Sequence, residues 1–279
     1  MIEFIFILFT FSVTVFFFID NYQQIIITKP IFQLFQIKPT KYFALSFGGG
    51  SLNYTDATRR LSSELYKTNL FYHIYSFTEA DLMKDLQFWD KHKLFIHRYE
   101  KNGYGYWIWK SYLIMKTLED LDDNDILLYL DSGCEIAEFT DAPERLKLLL
   151  EKCEIHDFLY NPSRHLEKVY TKMDLFDYMG LNYTDITDTT QIGAGILFIK
   201  KTQKNLNLTR EWYSVMSENY NLIDSSRGKL PNDPAFRDNR HDQSVLSLLV
   251  KSKQYADYYG THHMLIDPYP ILISRKRHG

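Results

Sequence analysis

The segment Asp125–Glu135, with the sequence DILLYLDSGCE, is the feature that most constrains the fold of this chain. Residues 126–130 form a continuous apolar run of strand length, which ends in Asp131, Ser132 and Gly133. Such a run is typical of a strand that is covered on both faces, as in a parallel sheet. Because ligands bind beyond the carboxyl ends of strands in open α/β sheets, we expect Asp131 at the ligand edge. A simple turn after the strand is the alternative, since Asp and Gly both favour turns.

The pattern that precedes this segment predicts strands and helices in alternation. Residues 42–47 form a short apolar strand pattern, Gly48–Gly50 follow it, and residues 57–67 have helical periodicity. A second strand pattern covers residues 70–77, and a helix opens at Thr78. This βαβα order predicts an α/β fold with a mostly parallel central sheet flanked by helices, in one domain over residues 41–279.

Charge and cysteine content exclude several classes of protein. The net charge of −3 does not support a broad nucleic-acid surface, so we expect no nucleic-acid partner. The two cysteines, Cys134 and Cys153, have no metal-binding spacing, and the chain is too long for a disulfide scaffold. Aromatic residues make up 16% of the chain, which fits either sugar-stacking surfaces or a compositional bias towards Phe and Tyr.

The amino terminus has a different character. Phe4–Ile19 is an uninterrupted apolar run close to the length of a membrane-spanning helix. We interpret residues 1–20 as an uncleaved signal-anchor helix and residues 21–40 as a stalk, which predicts a single-pass membrane protein. A cleaved signal peptide and a core element are the alternatives. The membrane side stays open, because the lysines after the run favour the cytosol whereas three N-glycosylation triplets suit a lumenal side, at Asn53, Asn182 and Asn207.

An aromatic block with one lysine lies one helix before the Asp131 strand. Trp107 and Lys110 are three residues apart and would share a helix face. In that arrangement Trp107 provides an aromatic surface and Lys110 provides a cation for a phosphorylated ligand. The alternative is that both side chains pack the helix against the sheet. Arg60, near the start of the first helix, is a further candidate for substrate binding.

Three motifs follow in the second half of the chain. Gln191-x-Gly193-x-Gly195 opens a strand, where glycines allow a ligand to approach the backbone or introduce a bulge. Asp242, in Arg240–Gln243, is a general base, a hydroxyl-binding carboxylate or a helix cap. In the tail, His262 or His263 is a candidate metal ligand. The run of basic residues that begins at Arg275 could hold a diphosphate, or it forms a solvated terminus.

Taken in order, these motifs resemble a family of GT-A-type glycosyltransferases of bacterial polysaccharide clusters and large DNA viruses. They are SFGGG, GYGYWIWK, DILLYLDSGCEI, QIGAGILFIKKT and RHDQS, and the resemblance covers about residues 41–277. It implies one Rossmann-like GT-A domain that uses a nucleotide-sugar donor and a glycan or protein acceptor.

The resemblance also implies roles for individual residues. Phe47 and Gly48 would line the nucleotide, and Lys110 would bind phosphate. Asp131 would hold the ribose and a Mn²⁺ or Mg²⁺ ion. Donor or acceptor contacts would come from the remaining matched positions, Ser132, Gly133, Gln191, Gly193, Gly195, His241, Asp242 and Gln243. The usual Asp-x-Asp motif has Gly133 at its third position here, so Glu135 or His262 would replace the second metal ligand, or the metal is dispensable.

These features predict an enzyme that transfers a hexose from a nucleotide diphosphate sugar, preferably a UDP-sugar, to a hydroxyl group. Asp242 would then deprotonate the acceptor, with inversion, or bind the donor sugar, with retention. Two other functions remain open: a sugar nucleotidyltransferase, and a non-catalytic membrane-anchored glycan-binding protein. The first usually has basic residues directly after its first glycine loop, whereas no Lys or Arg stands between Gly50 and Arg59 here.

Overall fold

The chain divides into two compact units, Met1–Thr40 and Lys41–Gly279, and each is described by itself. The structure is a computed structural model that describes residues 4–9, 12–17, 25–30, 39–181, 183–252, 255 and 266–276. His262, His263 and Asn182, all named in the sequence predictions, lie outside these residues.

The first unit contains three strands in place of the helix that the sequence predicted. They are β1 (Phe4–Phe9), β2 (Ser12–Phe17) and β3 (Ile25–Pro30), paired antiparallel in chain order. The membrane helix predicted for residues 1–20 is therefore not what the structure describes. A run of Phe, Ile, Val and Thr satisfies a strand as well as a helix, because β-branched and aromatic residues favour extended backbone. None of the helices among the described residues is long and apolar enough to cross a membrane.

The second unit alternates strands and helices. Its strands are β4 (Tyr42–Gly48), β5 (His73–Thr78), β6 (Ile126–Leu130), β7 (Glu135–Ile136), β8 (Phe158–Leu166), β9 (Thr190–Lys200) and β10 (Ile271–Leu272). Its helices are α1 (Leu52–Lys67), α2 (Glu79–Lys84), α3 (Leu86–Arg98), α4 (Gly103–Tyr106), α5 (Ile108–Asp120), α6 (Ala142–His156), α7 (Glu167–Tyr170), α8 (Met173–Tyr178), α9 (Tyr183–Ile186), α10 (Gln203–Glu218), α11 (Tyr220–Ile223) and α12 (Asp242–Lys251).

Five strands form the central sheet in the order β5-β4-β6-β9-β8. β4 is parallel to β5 and β6, whereas β9 is antiparallel to both of its neighbours, β6 and β8. The α/β class and the flanked central sheet are confirmed. Four strands share one direction and β9 opposes them, so the sheet is mixed. The apolar pattern of β9 predicted a strand but carries no information about its direction.

Helices cover both faces of the sheet, which explains the continuous apolar run in β6. Leu127 and Tyr129 belong to one core cluster, together with residues of α3, α5, α10 and α12. Ile126, Leu128 and Leu130 belong to the other cluster, together with residues of α1 and α6. Alternate side chains of a strand point to opposite faces, so every residue of this strand is buried.

β8 and β9 continue beyond the end of β6. Leu130 pairs with Ile196, and the backbone N–H of Asp131 donates to the carbonyl of Gly195, at 2.9 Å. Residues 190–194 of β9 lie past this point and pair with β8, where Pro162 faces Ile192 and Leu166 faces Thr190. These five residues make a two-stranded ribbon that extends about 17 Å beyond the sheet edge.

Candidate active site

The first glycine loop and Asp131 lie at the same edge of the sheet. β4 ends at Gly48 and β6 ends at Leu130, one residue before Asp131. Because these two neighbouring strands are parallel, their carboxyl ends lie side by side. The site is therefore built at the edge where ligands bind in open α/β sheets.

Lys110 connects two carboxylates at this edge. Its Nζ lies 3.1 Å from Oδ1 of Asp131 and 2.6 Å from Oδ2 of Asp242. It also donates to the carbonyl of Ala194, at 3.3 Å, and the side chain is only 3% exposed. Burial acts to lower the pKa of Lys110, but the two carboxylates outweigh burial and raise it. Lys110 is thus a buried cation whose charge is balanced within the protein, which differs from the phosphate ligand that the sequence predicted.

Asp131 is the exposed member of this triad. Its Oδ1 accepts a hydrogen bond from the Tyr129 hydroxyl at 2.7 Å, and 45% of its side chain is exposed. Its Oδ2 has no hydrogen bond or ion pair with another described residue. A Cβ on Gly195 would come within 2.9 Å of this oxygen, so the glycine leaves room for the carboxylate. Asp131 can therefore offer one oxygen to a ligand while Lys110 and Tyr129 hold the other.

Asp242 is the buried member of the triad. It is the first residue of α12, where the helix dipole favours a carboxylate, and its side chain is 7% exposed. Burial raises the pKa of Asp242 to about 6; Lys110 opposes this rise and Asp131 adds to it. The pair of acids thus combines an accessible carboxylate with one whose pKa lies near neutrality, which is typical of sites with acid–base chemistry.

Arg60 supports the loop that follows Asp131. Its Nη2 donates to the carbonyls of Ser132 at 3.1 Å, Cys134 at 3.0 Å and Lys276 at 3.3 Å, and Nη1 pairs with Glu64. The prediction assigned Arg60 to the substrate, whereas the structure uses its guanidinium to fasten this loop to the carboxyl-terminal segment.

The carboxyl-terminal segment crosses directly over Gly133. The backbone N–H of Lys276 donates to the carbonyl of Gly133 at 3.1 Å, and a Cβ on Gly133 would lie 3.1 Å from Cα of Arg275. A larger third residue, such as the Asp of an Asp-x-Asp motif, would collide with this segment. The backbone of Arg275 thereby lies beside the Asp131 loop and its side chain is exposed, whereas its predicted role in phosphate binding stays a prediction.

The first glycine loop serves packing at the positions that the sequence assigned to the nucleotide. Phe47 is 3% exposed, and its ring lies 4.0 Å from that of Trp109. A Cβ on Gly48 would come within 2.2 Å of the carbonyl oxygen of Tyr54, so only glycine allows α1 to approach the strand this closely. In this structure Phe47 belongs to the core rather than to an open surface.

The aromatic block forms a left-handed turn instead of the start of a helix. Residues 103–107 all have positive φ angles, between 52° and 83°. The backbone N–H of Trp107 donates to the carbonyl of Gly103, at 3.1 Å, and α5 begins only at Ile108. Trp107 and Lys110 therefore do not share a helix face as predicted. Left-handed backbone costs about 1–2 kcal/mol for each non-glycine residue, and such strain is characteristic of functional sites.

Trp107 and His241 stack on each other, at 5.4 Å between ring centroids and 20° between planes. The Trp107 ring also lies against Gly103, where a Cβ would be only 2.4 Å away. His241, with φ at 53°, immediately precedes Asp242. Its Nδ1 donates to the carbonyl of Ile223, and burial lowers the pKa of the imidazole. The neutral ring keeps Nε2 as an acceptor, and the stacked pair fixes the start of α12.

Gln191 is buried by α12 and its amide is used within the protein. Its Nε2 donates to Thr171 Oγ1 at 2.9 Å and to Ser244 Oγ at 3.1 Å, and its Oε1 accepts from Gln243 at 2.7 Å. At 1% exposure, Gln191 is a bridge between β9 and α12 and does not face a ligand as predicted. A Cβ on Gly193 would lie 2.5 Å from the carbonyl oxygen of Asn161, so this glycine serves the β8–β9 ribbon.

A divalent cation fits this site through one protein ligand. Asp131 provides a free oxygen, and Mg²⁺ commonly binds one or two carboxylates together with substrate phosphates. No cluster of three His, Cys, Asp or Glu side chains that could hold a metal occurs among the described residues. Glu135, the alternative ligand, is paired with Lys276 at 2.8 Å, which lowers the pKa of its carboxyl group. His262 lies outside the described residues.

Sequence reasoning missed Tyr129 as a residue of the site. Tyr129 stands two positions before Asp131, and residues with this spacing lie on the same face of a strand. The alternation of the strand could therefore have revealed it.

No protein-family model matches the chain, and no curated protein matches it in sequence. Three solved structures resemble its fold. A glycosyltransferase involved in glycosylation of the PBCV-1 major capsid has a TM-score of 0.40 and 12% identity, over 82% of this chain and 83% of that one. Galactosyltransferase LgtC, in complex with donor and acceptor sugar analogs, has a TM-score of 0.40 and 11% sequence identity, over 82% of this chain and 85% of that one. Mouse xyloside xylosyltransferase 1, in its apo form, has a TM-score of 0.41 and 9% sequence identity, over 83% of this chain and 97% of that one.

All three are glycosyltransferases, the class that the sequence motifs resemble. With TM-scores of 0.40 and 0.41, these likenesses do not by themselves assign an activity to the chain. The activity has to follow from the site.

Proposed function

We propose that this protein is a glycosyltransferase that moves a hexose from a nucleotide diphosphate sugar to a hydroxyl of a glycan or protein. The observation that carries the proposal is the Asp131–Lys110–Asp242 triad at the ligand edge of the sheet. Transfer of this kind needs one group that holds the donor and another that acts at the reacting centre. An exposed carboxylate and a buried carboxylate, joined by one lysine, meet both needs.

Asp131 is the donor-binding residue in this proposal. Its free oxygen is available to the ribose or to a divalent cation shared with the diphosphate. Bound Mn²⁺ or Mg²⁺ would neutralise the charge that develops on the departing nucleoside diphosphate. Lys110 and Tyr129 fix the direction of the carboxylate, so little reorganisation is needed when the donor binds.

Asp242 acts at the reacting centre. Since its pKa is about 6, it is mostly ionised at pH 7 and basic enough to accept a proton from an acceptor hydroxyl. The same ionised group can instead hold a hydroxyl of the donor sugar. The Nζ of Lys110, 2.6 Å from Oδ2 of Asp242, holds this carboxylate in position.

A donor screen on the full-length protein tests the proposal. UDP-, GDP- and dTDP-sugars are incubated with and without Mn²⁺, and released nucleotide is measured. We expect release from one donor, a UDP-sugar first among them. In Asp131→Asn and Asp242→Asn, turnover should fall about 100-fold or more, because each removes a charge that acts at the reaction.

Asp141→Asn is the matched control, since Asp141 is an exposed carboxylate just before α6 whose ion pair among the described residues is with Arg145. Its turnover should equal that of the unmodified protein. Two results would reject the proposal: no release from any donor by a folded protein, or unchanged turnover in Asp131→Asn.

A further inference from the structure

A second group of side chains lies near the triad and has no part in the proposed donor site. The ring of Tyr170, at the end of α7, contacts both the Arg240 guanidinium and the His165 ring. The Arg240 guanidinium carbon is 4.8 Å from the ring centroid, and the centroid of the His165 ring is 4.4 Å from it, with 63° between the two ring planes. The backbone N–H of Arg240 also donates to the carbonyl of Tyr170, at 3.0 Å. We call Arg240, His165 and Tyr170 the basic cluster.

The basic cluster carries positive charge that the described part of the protein does not balance. Within the described residues, neither Arg240 nor Arg275 forms an ion pair with a carboxylate, although most other buried or half-buried cations of the site do. Burial lowers the pKa of His165, and the charges of Arg240 and Arg275 lower it further, which favours the neutral imidazole. An arginine without a described carboxylate partner, held over an aromatic ring, is suited to an anion.

The position of the basic cluster distinguishes it from the donor site. His165 is on β8, and β8 is separated from β6 by β9. His165 lies near the tip of the β8–β9 ribbon, next to the Leu166–Thr190 pair, so it is separated from Asp131 both across the sheet and along the strands. Arg240 stands two residues before Asp242, the carboxylate that the proposed function places at the reacting centre.

We propose that the basic cluster binds an acidic sugar of the acceptor, through its carboxylate or phosphate group. This inference rests on the proposed function, because it assigns the cluster to the acceptor of that same reaction. Arg240 would donate two parallel hydrogen bonds to the acid, with its plane held by Tyr170. Arg275, from the carboxyl-terminal segment, would add long-range attraction.

Direct binding of two matched sugars to the full-length protein tests the inference. Glucuronate and glucose differ only in the carboxylate, and ligand-observed NMR titration measures the Kd of each. We expect glucuronate to bind about tenfold more tightly than glucose, because its carboxylate forms charge-assisted hydrogen bonds. Arg240→Gln should remove this preference, and His165→Gln should reduce it. Arg237→Gln, an exposed arginine three residues away, is the matched control and should retain it.

The titration is repeated with UDP to identify the source of the bound anion. If Arg240→Gln weakens UDP as much as glucuronate, the cluster serves the donor diphosphate and the inference is overturned. Equal Kd values for glucuronate and glucose, or a preference that survives both Arg240→Gln and His165→Gln, would also overturn it. Thermal melting of each variant shows whether it is folded. Donor release without acceptor tests the proposed function separately, so the two can fail independently.

Discussion

Lys110 places two carboxylates in one site but in different surroundings. Asp131 is 45% exposed and Asp242 is 7% exposed, so only the second is strongly affected by burial. This difference makes pH dependence a property of one residue, Asp242, whose pKa is about 6.

The first prediction concerns the acid limb of the pH–rate profile. Both roles open to Asp242 require its ionised form, and protonation below its raised pKa removes that form. We therefore expect kcat/KM for donor turnover to be half-maximal at about pH 6 and to fall about tenfold per pH unit below it. Measurement from pH 4.5 to pH 8 checks this. Asp141→Asn should show the same limb, and a profile that stays flat to pH 5 would contradict the assignment.

The second prediction concerns Gly195, whose missing side chain makes room for Asp131. In Gly195→Ala the new Cβ would lie 2.9 Å from Oδ2 of Asp131. A side-chain carboxylate can rotate away, so we expect the free energy of unfolding to change by less than about 1 kcal/mol. Turnover should nevertheless fall at least about tenfold, because the donor-binding oxygen is displaced.

Gly228→Ala provides the control for this substitution. Its Cβ would lie 3.1 Å from the Asp174 carboxylate, a comparable contact away from the triad. Urea denaturation and the donor-release assay are applied to both variants. Equal turnover in the two would show that the position of Asp131 is not critical.

The sequence was sufficient to predict that Asp131 ends a strand, but not that Lys110 would join it to Asp242. An apolar strand that ends in Asp-Ser-Gly locates the carboxylate without knowledge of the tertiary structure. The contact between Lys110 and Asp242 depends on how α5 and α12 pack around β9, which no local pattern contains. Gln191 and Phe47 were predicted to bind the substrate, but both are buried because neighbouring elements cover them. The sequence alone does not show which residues those elements cover.

At the scale of helices, a buried histidine joins three elements. His92 of α3 lies 2.8 Å from the hydroxyls of both Tyr213 in α10 and Tyr220 in α11. Burial lowers the pKa of His92 to about 4, and Lys91 adds to this effect. The neutral ring, with one donor and one acceptor nitrogen, therefore satisfies both contacts.

The third prediction follows from this lowered pKa. Because the ordinary pKa of histidine is about 6.5, the unfolded chain binds a proton at His92 before the folded protein does. The stabilisation is fully present above pH 6.5 and is lost as the pH falls towards 4, by on the order of 3 kcal/mol in the free energy of unfolding. His92→Gln should lack this contribution.

Urea denaturation at pH 7, 5.5 and 4.5 measures the effect as a difference between the two proteins, which cancels other titrating groups. That difference should shrink as the pH is lowered. His97→Gln, at an exposed histidine of the same helix, controls for the substitution itself. A difference that does not vary with pH would show that His92 does not titrate in this range.

Helices and strands were predicted well where the apolar residues recur with a strong periodicity. They were predicted poorly where backbone torsion angles determine the local structure. The helices and strands up to Thr78 follow their apolar patterns. Trp107 was predicted to share a helix face with Lys110, because residue spacing does not report the sign of φ. The run at Phe4–Ile19 was ambiguous in kind, since a continuous apolar stretch does not distinguish a helix from paired strands.

The whole molecule consists of two units, and the triad lies entirely in the second. Residues 41–279 contain both core clusters and every described residue of the candidate site. Every described residue that the proposed reaction uses therefore lies within this unit.

The fourth prediction is that deletion of residues 1–40 leaves a folded and active protein. Since the cores of the second unit draw on its own residues, we expect the melting temperature to change by less than about 4 °C, equivalent to ~1 kcal/mol. Donor release should keep its rate. Thermal melting and the donor screen on the shortened chain check this, and aggregation would mean that the first unit completes the fold.

The left-handed turn at residues 103–107 inverts the usual relation between chirality and backbone. Here ordinary amino acids adopt the torsions that their mirror images prefer. A D-amino acid introduced at Gly103 or Gly105 by chemical synthesis would match the local torsions, whereas its L-form would not. For these few residues the aromatic packing, rather than the stereochemistry of the chain, determines the handedness.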